Sequence, residues 1–364
     1  MRHTPLIEFH RSQGAKLVDF AGWEMPVYYT GLLEEHHYTR NHATFFDVSH
    51  MGRVYFSGAD AAAFLERLNT RRIGDMKVGQ CRYSHMCRDD GGILDDVIVS
   101  RLEENWLVVC NASNREKLLG WWQQQLRGAD VAIDDQTTKT AMVAIQGPEA
   151  LETVDRLLPF PVSDLKRYHF KHGSIMGTSY YIARSGYTGE DGIEVIVPAH
   201  MAMMAARLLT SASEEIARPI KPAGLGARDT LRTEAGMPLY GHELSEEWDS
   251  ITAGQNWAVD LTKDFVGRDA LQRAKEAGPP RVIVGLEVDS RRTPRQGATV
   301  LADGRPVGTV TSGTTSPTLG KVIAMALVSR ESATVGAALQ IELRSEQLPA
   351  RVVALPFYKR GKSG

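Results

Sequence analysis

Residues 52–69, GRVYFSGADAAAFLERLN, divide at Gly58 into two patterns of different period. Residues 53–57 read as a short strand. Beyond the glycine, Phe64, Leu65 and Leu68 recur at helical spacing on one side. About ninety residues later the design returns in 141–158, AMVAIQGPEALETVDRLL, with a strand at 142–146, Gly147, and then Leu151, Val154 and Leu158. Pro148 suits the start of a helix, where a missing N–H costs nothing. An acid follows the glycine in both copies, Asp60 and Glu149, where a helix N-terminus favours negative charge. A third version, 192–209, GIEVIVPAHMAMMAARLL, carries Pro198 at the same joint. Repeated strand–helix units with hairpins between them predict duplicated α+β modules.

Between the first two copies, residues 93–113, ILDDVIVSRLEENWLVVCNAS, predict a hairpin with strands at 93–102 and 106–110. Pairing Leu102 with Trp106 sets Asp96 opposite Ala112, and so within one residue of Asn111. Ser113 and Glu116 then stand at capping-box spacing before Leu118, Leu119 and Trp122. The two aspartates pose a problem, because aspartate disfavours strands and an ionised carboxylate is costly to bury unpaired. Residue type alone favours a solvated strand end. Alternation groups Asp95 with Val97 and Val99, and Asp96 with Ile98 and Ser100, so only one can face a given pocket. Parity does not choose between them. At the other end of the chain, AKEAGPPRVIVGLEV marks a boundary near 281. The short strands and turns beyond it predict an all-β domain, a small barrel or jelly roll, over 281–364.

The 364 residues carry 42 Lys and Arg against 44 Asp and Glu, a net charge of −2, which leaves no basic field for nucleic acid. No signal-peptide core or membrane-length apolar run is present, and the three cysteines form no CxxC pair, so the expectation is a cytoplasmic protein with free thiols and no metal. Several motifs fail on inspection. GTTSPTLGK lacks the glycine spacing of a phosphate loop and the Ser or Thr after its lysine, and GLGARD lacks the third glycine of a dinucleotide fingerprint. LLEEHHYTR has no HExxH spacing and reads as a solvated helix face, while Ser49 and His50 point to opposite sides of a strand.

Other features point toward a ligand only weakly when taken singly. Glu194 interrupts the alternating strand of RSGYTGEDGIEVIV, so it either faces water or accepts hydrogen bonds from a donor-rich ring. Arg228, at the start of a helix, either pairs with Asp229 or Glu234 or receives an anion. In combination, TPLIEFH, AKLVDFAGWEMPVYY, FFDVSHMG, YSHMCRDDGGILDDVIV, NASNREK, AIQGPEA, SGYTGEDGIE, GLGARDTLRTEAGMPLYGHE, KDFVGRDAL and SGTTSPTLGKVIAMALV resemble the aminomethyltransferase (T-protein) family of the glycine cleavage system over essentially the whole chain.

That resemblance implies a three-lobed α+β fold. Two duplicated, ferredoxin-like lobes (1–52 with 142–280, and 53–141) and a C-terminal β-barrel or jelly-roll domain (281–364) would surround a tetrahydrofolate site. It implies that Asp96 is the catalytic acid of the pair and that Met51, Tyr83, Asn111, Tyr187, Glu194 and Arg228 line the folate. Ser100 and Met237 stand where some relatives have tyrosines. The implied reaction moves the methylene of an aminomethyl group, carried on a lipoylated H-protein, to tetrahydrofolate. It gives 5,10-methylenetetrahydrofolate and releases ammonia. A tetrahydrofolate-dependent demethylase of the same superfamily is the alternative. A folate-binding relative that assists iron–sulfur assembly is disfavoured, since KDFVGRDAL lacks that relative's cysteine.

Overall fold

The two strand–glycine–helix joints close in the same way. Strand Gly52–Ser57 runs through Gly58 into helix Ala61–Leu68, and strand Thr140–Gln146 runs through Gly147 into helix Ala150–Asp155. Both glycines hold positive φ, +111° and +136°. Each lies against a carbonyl: a Cβ would fall 2.2 Å from Asp130 O at the first and 1.9 Å from His42 O at the second. The residue two further on, Asp60 or Glu149, donates its backbone N–H to that same carbonyl. Only glycine tolerates both the conformation and the approach, which is the physical content of the repeat. In the third copy, strand Gly192–Pro198 passes directly into a turn of 3-10 helix, Ala199–Met201, and then helix Ala202–Ser211.

In the computed structural model of the chain, residues 1–211, 218, 220–344 and 346–361 are described. They form two compact units. The first comprises Met1–Phe64, Ile73–Arg82 and Ile98–Asp229, and the second Leu65–Arg72, Tyr83–Val97 and Thr230–Gly364. Among the described residues, no helix is long and apolar enough to cross a membrane.

The first unit is built on a six-stranded sheet, in the order Phe170–Ile175, Thr178–Ala183, Gly192–Pro198, Thr140–Gln146, Thr44–Asp47, Lys221–Pro222. One face is the core: Phe45, Val143, Ile145, Ile182 and Ile193 pack there with Leu6, Phe9 and Val154. Alternation sends Phe46, Ala144, Ala183 and Glu194 to the opposite face. Elsewhere in this unit, strand Trp106–Cys110 pairs on one side with Gly52–Ser57 and on the other with residues 98–101. The hairpin register differs by one residue from the sequence expectation, with Arg101 facing Trp106 and Leu102 N–H donating to Asn105 O. The tighter turn decides it, because Glu103 and Glu104 alone occupy the bend. Helix Arg115–Gln125 starts without the expected capping box. Glu116 accepts from the Arg2 and Arg115 guanidinium groups instead.

In the second unit, Arg281–Val288, Lys321–Ser329, Arg305–Ser316, Thr299–Ala302, Ala338–Leu343 and Glu346–Val353 close into a six-stranded barrel rather than a jelly roll. Its interior interleaves Leu286, Val300, Val310 and Ile341 with the small Ala324 and Ala326, as a narrow barrel requires. GTTSPTLGK is the hairpin turn between two barrel strands.

Gly147→Ala is expected to destabilise the chain by about 3 kcal/mol, since it adds both a clash and a strained φ. Gly14→Ala, whose positive φ meets open space, should cost about 1 kcal/mol. Equal midpoints for the two variants in thermal or urea unfolding would contradict this account of the joint.

Candidate functional site

Strand Ile93–Arg101 contains both aspartates, and neither is a solvated strand end. Asp95 is fully buried and Asp96 half-buried. The expectation from residue type fails because folding covers this strand and brings Asp96 a tyrosine donor, neither of which local pattern shows. In the second unit, Tyr83 Oη donates to Asp96 Oδ2 at 3.1 Å and lies 3.1 Å from His85 Nε2. The Tyr83 ring is stacked on Trp257, with centroids 5.1 Å apart and 23° between planes. Trp257 sits on a turn of 3-10 helix, Asn256–Ala258. Thr70 fixes that turn by donating to Ala258 O and accepting from Asp260 N–H at its own carbonyl. Tyr240, whose hydroxyl donates to Ile93 O, has its pKa raised by burial first and then by Glu246, Asp95 and Asp96.

The first unit holds the other residues singled out from sequence. Met51 and Asn111 each stand one residue beyond the paired Gly52 and Cys110, at the same strand end. Glu194 lies on a central strand with Ala144 abreast on one neighbour and Ala183 on the other. It is half-buried and accepts from Ser185 Oγ, so it is not simply a solvated face. The alanines leave low ground on both sides of a carboxylate, a shape suited to a flat ring.

Tyr187 lies beneath the Arg228 guanidinium, 5.0 Å from carbon to ring centroid. Arg228 Nη1 is buried with no hydrogen-bond partner. Burial lowers the Arg228 pKa, while Glu194 and Tyr187 raise it in part. Glu234, one of the two partners considered for it, accepts instead from Ser316 and Thr318. An unpaired buried guanidinium N–H is a site for a ligand oxygen. Met51, Tyr187, Glu194, Arg228 and Asn111 thus belong to one unit, Tyr83 and Asp96 to the other.

Several positioning residues escaped the sequence reading. Gln146, fully buried, donates to Ser185 O and accepts from Thr188 Oγ1, holding the loop that carries Tyr187. A Cβ on Gly186 or Gly192 would strike its amide, at 1.9 and 2.5 Å, so both are close-approach glycines. LLEEHHYTR is not a solvated face: Glu35, His36 and Arg40 are buried. Glu35 accepts the N–H groups of Tyr29 and Thr30 through one oxygen and Gly224 N–H through the other, which seats the helix bearing Arg228. Arg40 pairs with buried Glu190 in the Tyr187 loop. Ser49 is bonded to the Met142 backbone and His50 packs edge-on against Phe20, so they form no nucleophile–base pair. Cys81, Cys87 and Cys110 are buried thiols, and burial pushes Cys81 and Cys87 up to about 12, away from reactivity. No group of three His, Cys, Asp or Glu among the described residues is arranged to hold a metal.

Residues 6–263 match the GCVT N-terminal domain and residues 281–359 the Glycine cleavage T-protein C-terminal barrel domain. The chain is 46% identical to an aminomethyltransferase of Rubrobacter xylanophilus, over 100% of this chain and 96% of the relative. It is 42% identical to that of Geobacillus kaustophilus over the full length of both. The chain belongs to the glycine cleavage T-protein family. The crystal structure of glycine cleavage system aminomethyltransferase T from Bartonella henselae superposes with a TM-score of 0.91 at 33% identity, covering 98% of each chain. The fold is therefore that of the T-protein, and the relatives' name favours aminomethyl transfer over the demethylase.

Two histidines give the chain a pH signature. Burial lowers His50 to about 4, a shift opposed by Asp47 and reinforced by Arg228 and Arg53. Burial also lowers His85 to about 3. In the unfolded chain both protonate near the ordinary value of 6.5. Below that pH the unfolded state takes up protons that the folded state refuses. Stability present above pH 6.5 is therefore lost as pH falls toward those lower values. At pH 5 the loss should be on the order of 2 kcal/mol for each ring. Urea unfolding of wild type and His50→Gln at pH 7.5 and 5.0 checks it: the variant should lose visibly less stability between the two, and an identical drop would refute the assignment.

Proposed function

We propose that the chain transfers the methylene of an aminomethyl group, borne on the lipoyl arm of an H-protein carrier, to tetrahydrofolate, with release of ammonia and formation of 5,10-methylenetetrahydrofolate. The observation that carries the reading is full-length kinship to aminomethyltransferases, at 46% identity to that of Rubrobacter xylanophilus. The chemistry of the side chains supports it. Glu194 presents a carboxylate to the donor-rich edge of a pterin, Arg228 offers an unpaired N–H to a folate oxygen, and Tyr187 supplies an aromatic face beside it. We assign Met51, Tyr83 and Asn111 to the same ligand and Asp96 to the reacting centre.

Two carbon–nitrogen bonds to folate form as the carbon–sulfur bond to the lipoyl arm and the carbon–nitrogen bond to the departing amine break. The lipoyl sulfur and the amine each take up a proton, and each attacking folate nitrogen sheds one. Asp96, held by Tyr83, orients an attacking nitrogen, accepts its proton and stabilises the positive charge that develops on the migrating carbon. A carboxylate with an ordinary pKa of about 3.9 is a weak base at neutral pH. Position and charge are therefore its main contributions. No metal is invoked for any of these roles. The three-lobe division at 1–52 with 142–280, 53–141 and 281–364 is retained as part of this proposal. The matching joints at Gly58 and Gly147, one in each of the first two lobes, support it, as does the start of the barrel-domain match at residue 281.

Purified protein mixed with aminomethylated lipoyl carrier should release ammonia rapidly only when tetrahydrofolate is present, with methylenetetrahydrofolate appearing in step. Asp96→Asn should still bind folate and lose at least ~100-fold in kcat. Near-normal turnover in that variant would remove Asp96 from the reacting centre. Folate binding without ammonia release by wild type would return the demethylase to first place.

A further inference from the structure

A chain of buried groups behind Tyr83 has a direction that can be worked out from donor counts. An ionised carboxylate only accepts, so the single phenolic proton of Tyr83 is committed to Asp96 Oδ2. The 3.1 Å contact between Tyr83 Oη and His85 Nε2 must then be supplied with a proton by the histidine. The imidazole is 0% exposed and neutral, and a neutral ring carries one N–H. With that proton on Nε2, Nδ1 is an acceptor, and Ser250 Oγ, 2.7 Å away and also 0% exposed, donates to it. The order of donation is Ser250, His85, Tyr83, Asp96.

We propose that His85 and Ser250 are positioning residues that lock Tyr83 as a one-way donor to Asp96, and that Trp257 clamps the tyrosine ring in that pose. This rests on the reading of Asp96 as the reacting carboxylate. The lock keeps the carboxylate ionised and fixes which way it faces, because a neutral donor stabilises the charged form. It also prevents Tyr83 from turning its proton toward His85, since that acceptor position is already filled. The chain ends at the Ser250 hydroxyl, itself fully buried, so it is an orienting device and not an exit for protons. Edge-on contact between Tyr83 and His85, 5.4 Å between centroids and 75° between planes, and stacking on Trp257 leave the tyrosine little freedom.

Nitrogen-15 NMR of the full-length protein labelled at histidine tests the direction without any assay. The His85 signals, identified by their loss in His85→Gln, should report a neutral ring protonated at Nε2 from pH 7.5 to 5.5. A proton on Nδ1, or a protonated ring within that range, would overturn the proposal. Kinetics test the consequence. His85→Leu should lower kcat about tenfold with little change in KM for tetrahydrofolate, and His85→Gln, which keeps a donor, should recover most of it. In a Tyr83→Phe background the leucine substitution should add nothing. Equal losses in both backgrounds would mean that His85 acts on stability rather than through Tyr83. A wild-type protein without transferase activity would instead refute the proposed function, while the NMR result judges the lock independently.

Discussion

A single buried amide organises the loop and strand of the first unit that carry Tyr187 and Glu194. Gln146 ends a central strand, and its amide lies where Cβ atoms on Gly186 and Gly192 would have to be. Its hydrogen bonds to Ser185 O and Thr188 Oγ1 replace the water that the loop backbone would otherwise need, at a place where an unmade hydrogen bond is costly. Gly147, next in sequence, turns the chain against the His42 carbonyl and so fixes where that amide stands. The loop so held carries Tyr187, and the strand it leads into carries Glu194. A change at the joint would therefore be felt at both residues before it was felt by any ligand.

Each unit holds one candidate site carboxylate in the same way. Asp96 and Glu194 are each half-buried and each met by a neutral hydroxyl, Tyr83 in one case and Ser185 in the other. A neutral donor stabilises an anion without cancelling its charge, so the carboxylate keeps its field for a ligand. The guanidinium of Arg228 is stacked on an aromatic face, and its Nη1 is bonded to no oxygen. Structural ion pairs elsewhere are handled differently. Arg232 with Glu243 and Arg40 with Glu190 are buried at close range and mutually neutralised, so they stiffen the chain.

The parts of this arrangement that were legible from sequence are those encoded by local period and turn chemistry. The repeated joint, the hairpin and the boundary near 281 rest on strand and helix periodicity punctuated by Gly and Pro. The pairing of Asp96 with Tyr83 was not readable, nor was the burial of Asp95, because both depend on groups brought together by folding. Glu35 and Arg40 looked like a solvated face for the same reason: their partners, Gly224 and Glu190, are about 150 to 190 residues away. The one-residue error in hairpin register came from a turn whose length the sequence leaves open. The choice of Asp96 over Asp95 came from resemblance to a family and not from the pattern of the strand, whose parity placed Asp95 with the more apolar neighbours.

Each unit also keeps a neutral histidine beside its key charge. His50 lies in the field of Arg228, and His85 is linked to Asp96 through Tyr83. Were either ring protonated, it would compete with a ligand. A cation at His50 would repel Arg228, and one at His85 would draw on the electron density that Asp96 presents. Burial prevents this across the range in which histidine ordinarily titrates, because the desolvation cost of the charged ring exceeds what nearby carboxylates return. The same burial that makes the fold acid-sensitive thus keeps Asp96 and Arg228 the dominant charges where they stand. Stability at low pH and a clean electrostatic field at neutral pH are opposed here by one physical cause, and the chain favours the second.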